Sequence, residues 1–172
     1  MTDRDFHEYS PEWPSVFEME RERLGSVLGE IAPDVQHVGS TAIPGMPGKG
    51  IVDILIAVPE GTPQSAYDGP LRGLGYIERP VDRPDPFYTK PSVKPRTHNV
   101  HVAVAGGSRA RSLLAFRDYL RAHPDDAARY ERLKRKLADH PERDWDRYSR
   151  EKVELASELE ARAVRWAGQD GG

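Results

Sequence analysis

The feature that most constrains the fold is a short apolar run at residues 51–58, in which Asp53 is the only charged residue. A membrane-spanning helix needs about 20 apolar residues in succession, so this run is too short to cross a bilayer. Short runs rich in isoleucine and valine are typical of strands buried in a sheet. The sequence therefore predicts a buried strand that carries one carboxylate.

The other elements in the first part of the chain follow from hydrophobic spacing and from breaks at glycine and proline. A helix is predicted at 14–30, and a weaker one at 62–74, where Gly69 and Pro70 disfavour helix. Further strands are predicted at 35–38, 76–79, 87–90 and 99–104. The last two are expected to pair as a hairpin, because they are joined by a turn containing proline.

A change of pattern follows Gly107, beyond which apolar residues recur every three, four or seven positions. This spacing predicts three successive helices. The breaks between them fall at His123-Pro124 and His140-Pro141. A frayed tail is predicted at the end of the chain, over residues 167–172.

Strands followed by helices predict an α/β (α+β) fold, with a mixed sheet and a C-terminal helical bundle. The length of 172 residues is within the usual range for one domain. We therefore expect a single domain over residues 1–172, with the sheet part at about 1–106 and the helical part at about 107–166.

Charge and cysteine content exclude several functional classes. The formal net charge of −3 provides no general positive field for nucleic acid. The chain has no cysteine, which excludes a disulfide framework, a thiolate zinc site and a cysteine nucleophile. Residues 1–9 are polar and lack the basic start and apolar run of a signal peptide. We expect a cytoplasmic protein that binds neither nucleic acid nor membrane.

A Gly-Ser pair directly after the strand at 35–38 is the most informative segment for function. Gly39 leaves the backbone open, so that backbone N–H groups and the Ser40 hydroxyl can approach a phosphate. Asp53 on the next predicted strand is suited to hold a divalent cation against that phosphate. The alternatives are a buried Asp53 that accepts backbone hydrogen bonds, and turn hydroxyls at Ser40 and Thr41 that bond their own backbone.

The sequence HVGSTAIPG at 37–45, together with VDIL at 52–55, resembles the nucleotidyltransferase superfamily and, within it, the GrpB family. Other motifs that carry the GrpB resemblance lie at 9–14, 99–102 and 116–121, and at Tyr148 with Lys152. The resemblance covers most of the chain. It implies a nucleotidyltransferase-like mixed sheet followed by a C-terminal helical bundle.

The same resemblance implies an enzyme that binds a nucleotide or another phosphorylated small molecule and transfers a nucleotidyl group to a small-molecule acceptor. Gly39, Ser40 and Thr41 would then bind phosphate, and Asp53 would hold Mg²⁺ and serve in catalysis. GrpB-like domains also occur fused to dephospho-CoA kinase, which implies nucleotide or cofactor metabolism. This chain has no P-loop, so it is not that kinase.

One departure from the superfamily pattern concerns the carboxylates. Leu55 stands two residues after Asp53, where active nucleotidyltransferases usually carry a second carboxylate, and the strand at 99–104 offers only Asn99 and His101 in place of a third. A two-metal site cannot be assembled from these positions. Two alternatives follow: a non-catalytic nucleotide-binding or regulatory module, or a pocket reused for ligation or hydrolysis with Asp53 and His101 as acid and base.

Four further side chains are candidates for the site. His101 is suited to orient a substrate, act as a general base or bind metal, and the alternative is a hydrogen-bonded sheet histidine. Tyr148 and Lys152 share a helical stripe and are expected to bind an anionic group, unless Lys152 extends to solvent. Arg96 is expected to contact phosphate, the alternative being ordinary surface. His37 is expected to brace the Gly-Ser turn.

Overall fold

The computed structural model describes residues 6–32, 34–80, 85–90, 95–138 and 145–169, without the side chains of residues 137 and 145–152. The helices are α1 (Trp13–Leu28), α2 (Ser65–Gly73), α3 (Ser108–Ala122), α4 (Pro124–Ala138) and α5 (Trp145–Gln169). The strands are β1 (Asp34–Val38), β2 (Val52–Val58), β3 (Ile77–Glu78), β4 (Phe87–Lys90) and β5 (His98–Val104). Single 3-10 turns follow α1 and β1, at Gly29–Ile31 and Ser40–Ala42.

The order of elements predicted from the sequence is confirmed, with ends that differ by a few residues. The chain between α3 and α4 breaks at His123-Pro124, as predicted. The predicted tail is wrong in part, because α5 extends to Gln169. The break predicted at His140-Pro141 lies outside the described residues.

The five strands form one mixed sheet in the order β1-β2-β5-β4-β3. β2 pairs antiparallel with β1 and parallel with β5, and β4 pairs antiparallel with both β5 and β3. The parallel pair at the centre needs a long crossover, which the chain between β2 and β5 supplies. The predicted fold class, a mixed α/β sheet followed by C-terminal helices, is confirmed, and β4 and β5 form the predicted antiparallel pair.

The alternation of side chains along β2 assigns one face of the sheet to the core and the other to a cavity. Val52, Ile54 and Ile56 are buried among apolar side chains of α1 and α2. Asp53 and Leu55 project from the opposite face, where Leu55 packs against Ala110 of α3. The carboxylate within the apolar run is therefore held on the face that α3 covers.

A second apolar cluster joins the helices to the loop that follows the Gly-Ser turn. Ile43 and Met46 of this loop are buried together with Tyr119 of α3, Tyr130 of α4 and Leu159 of α5. The helices therefore fix the loop that leads from β1 to β2. None of the described helices combines the length and apolar character that crossing a membrane requires.

A buried charge cluster lies on the α1 side of the sheet, away from the cavity. Glu20 of α1 accepts hydrogen bonds from Lys90 Nζ at 2.8 Å and from Tyr76 OH at 3.0 Å. Burial alone would raise the pKa of Glu20, and the hydrogen bond and charge of Lys90 hold that pKa below its usual range. Lys90 therefore pairs with a buried carboxylate of the core. It does not belong to the cavity, although it lies beside the same β4–β5 turn as Arg96, the candidate for phosphate contact.

Candidate functional site

A cavity of about 520 Å³ opens between the sheet and the C-terminal helices. Its sheet side is formed where β1 ends and where β2 and β5 begin, and its other walls come from α3, α4 and α5. Of the residues predicted from the sequence, those that line the cavity are Gly39, Ser40, Asp53, Arg96 and His101.

The Gly-Ser turn and the strand carboxylate are in contact. Val38 pairs with Asp53 across the β1–β2 ladder, so Gly39 lies beside that carboxylate. A Cβ atom at Gly39 would lie 2.5 Å from Asp53 Oδ2, a distance that no side chain tolerates. The Gly39 dihedrals are φ +70° and ψ −169°, a region that is essentially restricted to glycine. Glycine is therefore required here for both the backbone conformation and the approach to Asp53.

Two arginines of α3 hold the turn from the helical side. Arg117 donates a hydrogen bond of 3.0 Å to the backbone oxygen of His37. Arg121 donates two hydrogen bonds, of 2.6 and 3.0 Å, to the backbone oxygen of Ala42. These arginines belong to the segment at 116–121, so this motif serves to position the Gly-Ser turn.

Thr41 and His37 form a brace under the turn, outside the cavity wall. His37 Nε2 lies 2.9 Å from Thr41 Oγ1, and the His37 ring stacks on Phe17 of α1 at 4.7 Å. Thr41 is only 1% exposed, and its hydroxyl contacts His37 inside the protein. Phosphate binding by Thr41 stays a prediction. The bracing role predicted for His37 is confirmed.

We expect burial of His37 to make the protein less stable in mild acid. Burial lowers the pKa of His37 from 6.5 to about 4, so the unfolded chain binds this proton more readily than the folded protein. The free energy of unfolding keeps its full value above pH 6.5 and decreases by about 2 to 3 kcal/mol as the pH falls toward 4. Urea unfolding at several pH values should show a weaker pH dependence for His37→Gln. An equal pH dependence of the unfolding free energy in the native protein and in His37→Gln would contradict the assignment to His37.

Asn99 orients the Asp53 carboxylate and leaves one oxygen of its own available. Asn99 Nδ2 donates a hydrogen bond of 2.8 Å to Asp53 Oδ1 from the neighbouring position in β5. The amide orientation is therefore fixed, since only its NH₂ group can donate to a carboxylate. Asn99 Oδ1 is buried without a hydrogen-bond partner among the residues that the structure describes. Asp53 and Asn99 thus provide oxygen atoms of the kind that Mg²⁺ prefers.

The structure also explains what replaces the second carboxylate of the superfamily pattern. Leu55 is fully buried and packs against Val38, Ala103 and Ala110. Among the described residues, no three side chains of His, Cys, Asp or Glu are grouped as a metal site. Asp53 with Asn99 would fit an Mg²⁺ ion only if the phosphates of a ligand completed its coordination, because Mg²⁺ commonly binds through one or two carboxylates plus substrate phosphates.

His101 lies between two carboxylates. Its Nε2 is 3.9 Å from Asp53 Oδ1, and its Nδ1 is 3.6 Å from Asp85 Oδ2. Burial alone would lower the pKa of His101, and the two carboxylates raise it above its usual range. For Asp85, burial alone would raise the pKa, but His101 and Arg109 hold that pKa below its usual value. This arrangement is suited to proton transfer at the Nε2 side of His101.

Sequence reasoning missed several charged residues of the site. Asp85 is buried beside His101, and Arg109 of α3 lies 3.3 Å from Asp85 Oδ1. Lys49 and Lys134 also line the cavity, together with Glu160 of α5. The site therefore contains three cations and two carboxylates that sequence reasoning did not assign to it. Tyr148 and Lys152 lie on α5, but their side chains are outside the described residues.

The fold and the cavity define a mixed α/β protein in which a Gly-Ser turn faces a strand aspartate. Residues 5–162 match the family described as GrpB protein. The UPF0157 protein BH1888 of Halalkalibacterium halodurans is 41% identical over 157 residues, which are 91% of this chain and 80% of that protein. The chain belongs to the GrpB family, so the resemblance seen in the sequence is confirmed.

A solved structure and a longer relative complete the comparison. The crystal structure of the conserved protein GrpB from Enterococcus faecalis has a TM-score of 0.84 and 31% identity, and the match covers 95% of this chain and 99% of that chain. A dephospho-CoA kinase of Mycolicibacterium paratuberculosis is 32% identical over an alignment of 187 positions, which covers 94% of this chain but only 46% of that protein. The chain thus spans less than half the length of that relative.

Proposed function

We propose that this protein binds a nucleotide or another phosphorylated small molecule and transfers a nucleotidyl group to a small-molecule acceptor. The observation that carries this proposal is the contact between Gly39 and Asp53 on the cavity wall. Only glycine permits this contact, and it brings a phosphate-binding type of turn and a strand carboxylate to one point. The resemblance of this pair to nucleotidyltransferases supports the same function.

Phosphate binding is assigned to the turn and to the basic side chains around it. Gly39 and Ser40 line the cavity, where Arg96 and Lys49 contribute positive charge, and the backbone N–H groups of the turn and the Ser40 hydroxyl would bind phosphate. Asp53 with Asn99 would hold Mg²⁺, which neutralises charge on the phosphates when bound. Most of the catalytic effect would then come from positioning and from charge stabilisation.

Proton transfer is assigned to His101. An acceptor hydroxyl attacks the α-phosphorus, the new P–O bond forms as the bond to pyrophosphate breaks, and His101 Nε2 takes the proton of the hydroxyl. The Asp85 carboxylate at 3.6 Å from Nδ1 stabilises the protonated ring. Asp85 therefore acts as a positioning residue through His101.

A second candidate function is hydrolysis or ligation with His101 as the acid and base. It is favoured by the burial of Leu55 in place of a second carboxylate and by the Asp85–His101 contact. This chemistry would proceed without a divalent metal. The third candidate is a regulatory module that binds nucleotide without turnover. An assay in which nucleotide binds but no product forms distinguishes it from the two enzymes.

A thermal-shift screen of nucleotides with and without Mg²⁺ tests the proposal. A ligand present at 100 times its Kd stabilises the folded state by about 2.7 kcal/mol. For a protein of this size the melting temperature should then rise by about 5 to 10 °C. We expect this rise with nucleotide and Mg²⁺ together, and product in an assay with mixed acceptors. A rise that is independent of Mg²⁺ would favour the second candidate, and no rise with any nucleotide would contradict the proposal.

A further inference from the structure

Lys134 of α4 is a buried lysine that faces the cavity. The residue is 6% exposed and lines the cavity wall together with Phe6 and Tyr130. Its ammonium lies 6.0 Å from the Phe6 ring centroid and 5.5 Å from the Tyr130 ring centroid. Its Nζ also donates a hydrogen bond to the backbone oxygen of Pro47. The hydrogen bond to Pro47 and the two rings therefore hold a buried ammonium on the cavity wall.

The ammonium of Lys134 lies close to the Gly-Ser turn. A Cβ atom at Gly48 would lie 3.3 Å from Lys134 Nζ and 3.1 Å from Ser40 Oγ. Both polar atoms therefore approach the same point beside Gly48, and any side chain at this position would crowd the space around them. Ser40 and Lys134 both line the cavity, one from the sheet side and one from the helical side.

We propose that Lys134 binds the phosphate chain of the ligand together with Ser40, and that its charge replaces the second metal ion of a two-metal site. This inference rests on the proposed function and narrows its ligand to a molecule with a di- or triphosphate. Leu55 stands in place of the second carboxylate, so Asp53 would hold only one Mg²⁺ ion. The phosphates of the leaving group would then lack the second cation that a two-metal site supplies. A lysine ammonium supplies a compact positive charge at that position.

Calorimetric titration of the 172-residue chain with inorganic pyrophosphate in the presence of Mg²⁺ tests this role. We expect Lys134→Met and Lys134→Gln to bind pyrophosphate about 10- to 100-fold more weakly than the native protein. Glutamine can still donate a hydrogen bond to Pro47, so Lys134→Gln separates loss of charge from loss of this loop contact. Lys136→Met is the matched control, because Lys136 is exposed on the same helix.

Melting temperatures of all three variants are measured alongside the titrations. If Lys134→Met does not fold, two measurements still test the inference. One is the affinity of Lys134→Gln for pyrophosphate, and the other is the ¹⁵Nζ resonance of Lys134 in the native protein, which pyrophosphate should shift. Native-like affinity of Lys134→Gln would overturn the inference while leaving the proposed function intact. If the native protein binds neither pyrophosphate nor any nucleotide with Mg²⁺, the proposed function fails first and the inference fails with it.

Discussion

Lys90→Met should destabilise the protein by about 3 kcal/mol, because it removes the nearer of the two cations that pair with the buried Glu20 carboxylate and, among the described residues, leaves only Arg23 Nη1, at 3.4 Å. Glu20 is 2% exposed, and Lys90 Nζ lies 2.8 Å from its Oε1. Breaking a buried pair typically costs about 3 to 5 kcal/mol. We expect the lower end, because the Lys90 side chain retains 19% exposure. Urea unfolding at neutral pH measures the difference.

The double variant Glu20→Gln/Lys90→Met is the control for this prediction. Its neutral amide still accepts the hydrogen bond from Tyr76 OH and no longer needs a cation. Replacing both charges should therefore recover most of the lost stability. A double variant as unstable as Lys90→Met would show that Lys90 acts through its packing and not through the charge of Glu20.

Gly39→Ala should also lower stability by about 3 kcal/mol and remove ligand binding at the turn. The added Cβ would lie 2.5 Å from Asp53 Oδ2, and the backbone at φ +70° and ψ −169° is essentially inaccessible to alanine. The turn or the carboxylate has to move, and either movement separates the phosphate-binding and metal-binding groups. Urea unfolding and a nucleotide thermal shift measure the two effects.

Gly61→Ala provides the matched control for the turn. Gly61 also has a positive φ, of +80°, but a Cβ atom there would contact nothing within 4 Å. Its substitution should therefore cause only the backbone strain, about 1 to 2 kcal/mol, with ligand binding unchanged. Equal losses for Gly39→Ala and Gly61→Ala would mean that the contact with Asp53 contributes nothing.

The fold was predictable because its central strands carry strong local signals. The apolar run at 51–58 and the alternating pattern at 99–104 correspond to β2 and β5, the parallel pair in the middle of the sheet. Proline and glycine mark most of the boundaries. The end of α5 was not predictable from such signals: Trp166 packs against Tyr119 and His123, and the helix continues beyond it to Gln169.

The sheet side of the site was predictable to the same extent. Gly39 and Ser40 directly follow β1, Asp53 lies on the next strand along the chain, and the alternation in β5 places Asn99 and His101 on the face of Asp53. The spacing also places His98 on the opposite face, where it is buried on the side of Glu20.

The helical side of the site could not be predicted, because its charged residues become buried only through tertiary packing. Lys134 lies in a charge-rich stretch of α4 whose composition is typical of a solvated helix face. Asp85 stands in a segment rich in proline, and its position directly before Pro86 and β4 is the only signal of a role. The contact of the Thr41 hydroxyl with His37 likewise could not be read from the motif, because it depends on how the turn packs.

Calorimetric titration of the native protein and of Asp53→Asn with ribonucleoside triphosphates, with and without Mg²⁺, tests the central claim most directly. The native protein should bind Mg²⁺ alone only weakly, because Asp53 and Asn99 supply too few oxygen ligands. Mg²⁺ should strengthen triphosphate binding at least tenfold in the native protein and leave it unchanged in Asp53→Asn. A variant that keeps the Mg²⁺ effect, or tight stoichiometric Mg²⁺ binding by the native protein alone, would contradict a site built on Asp53.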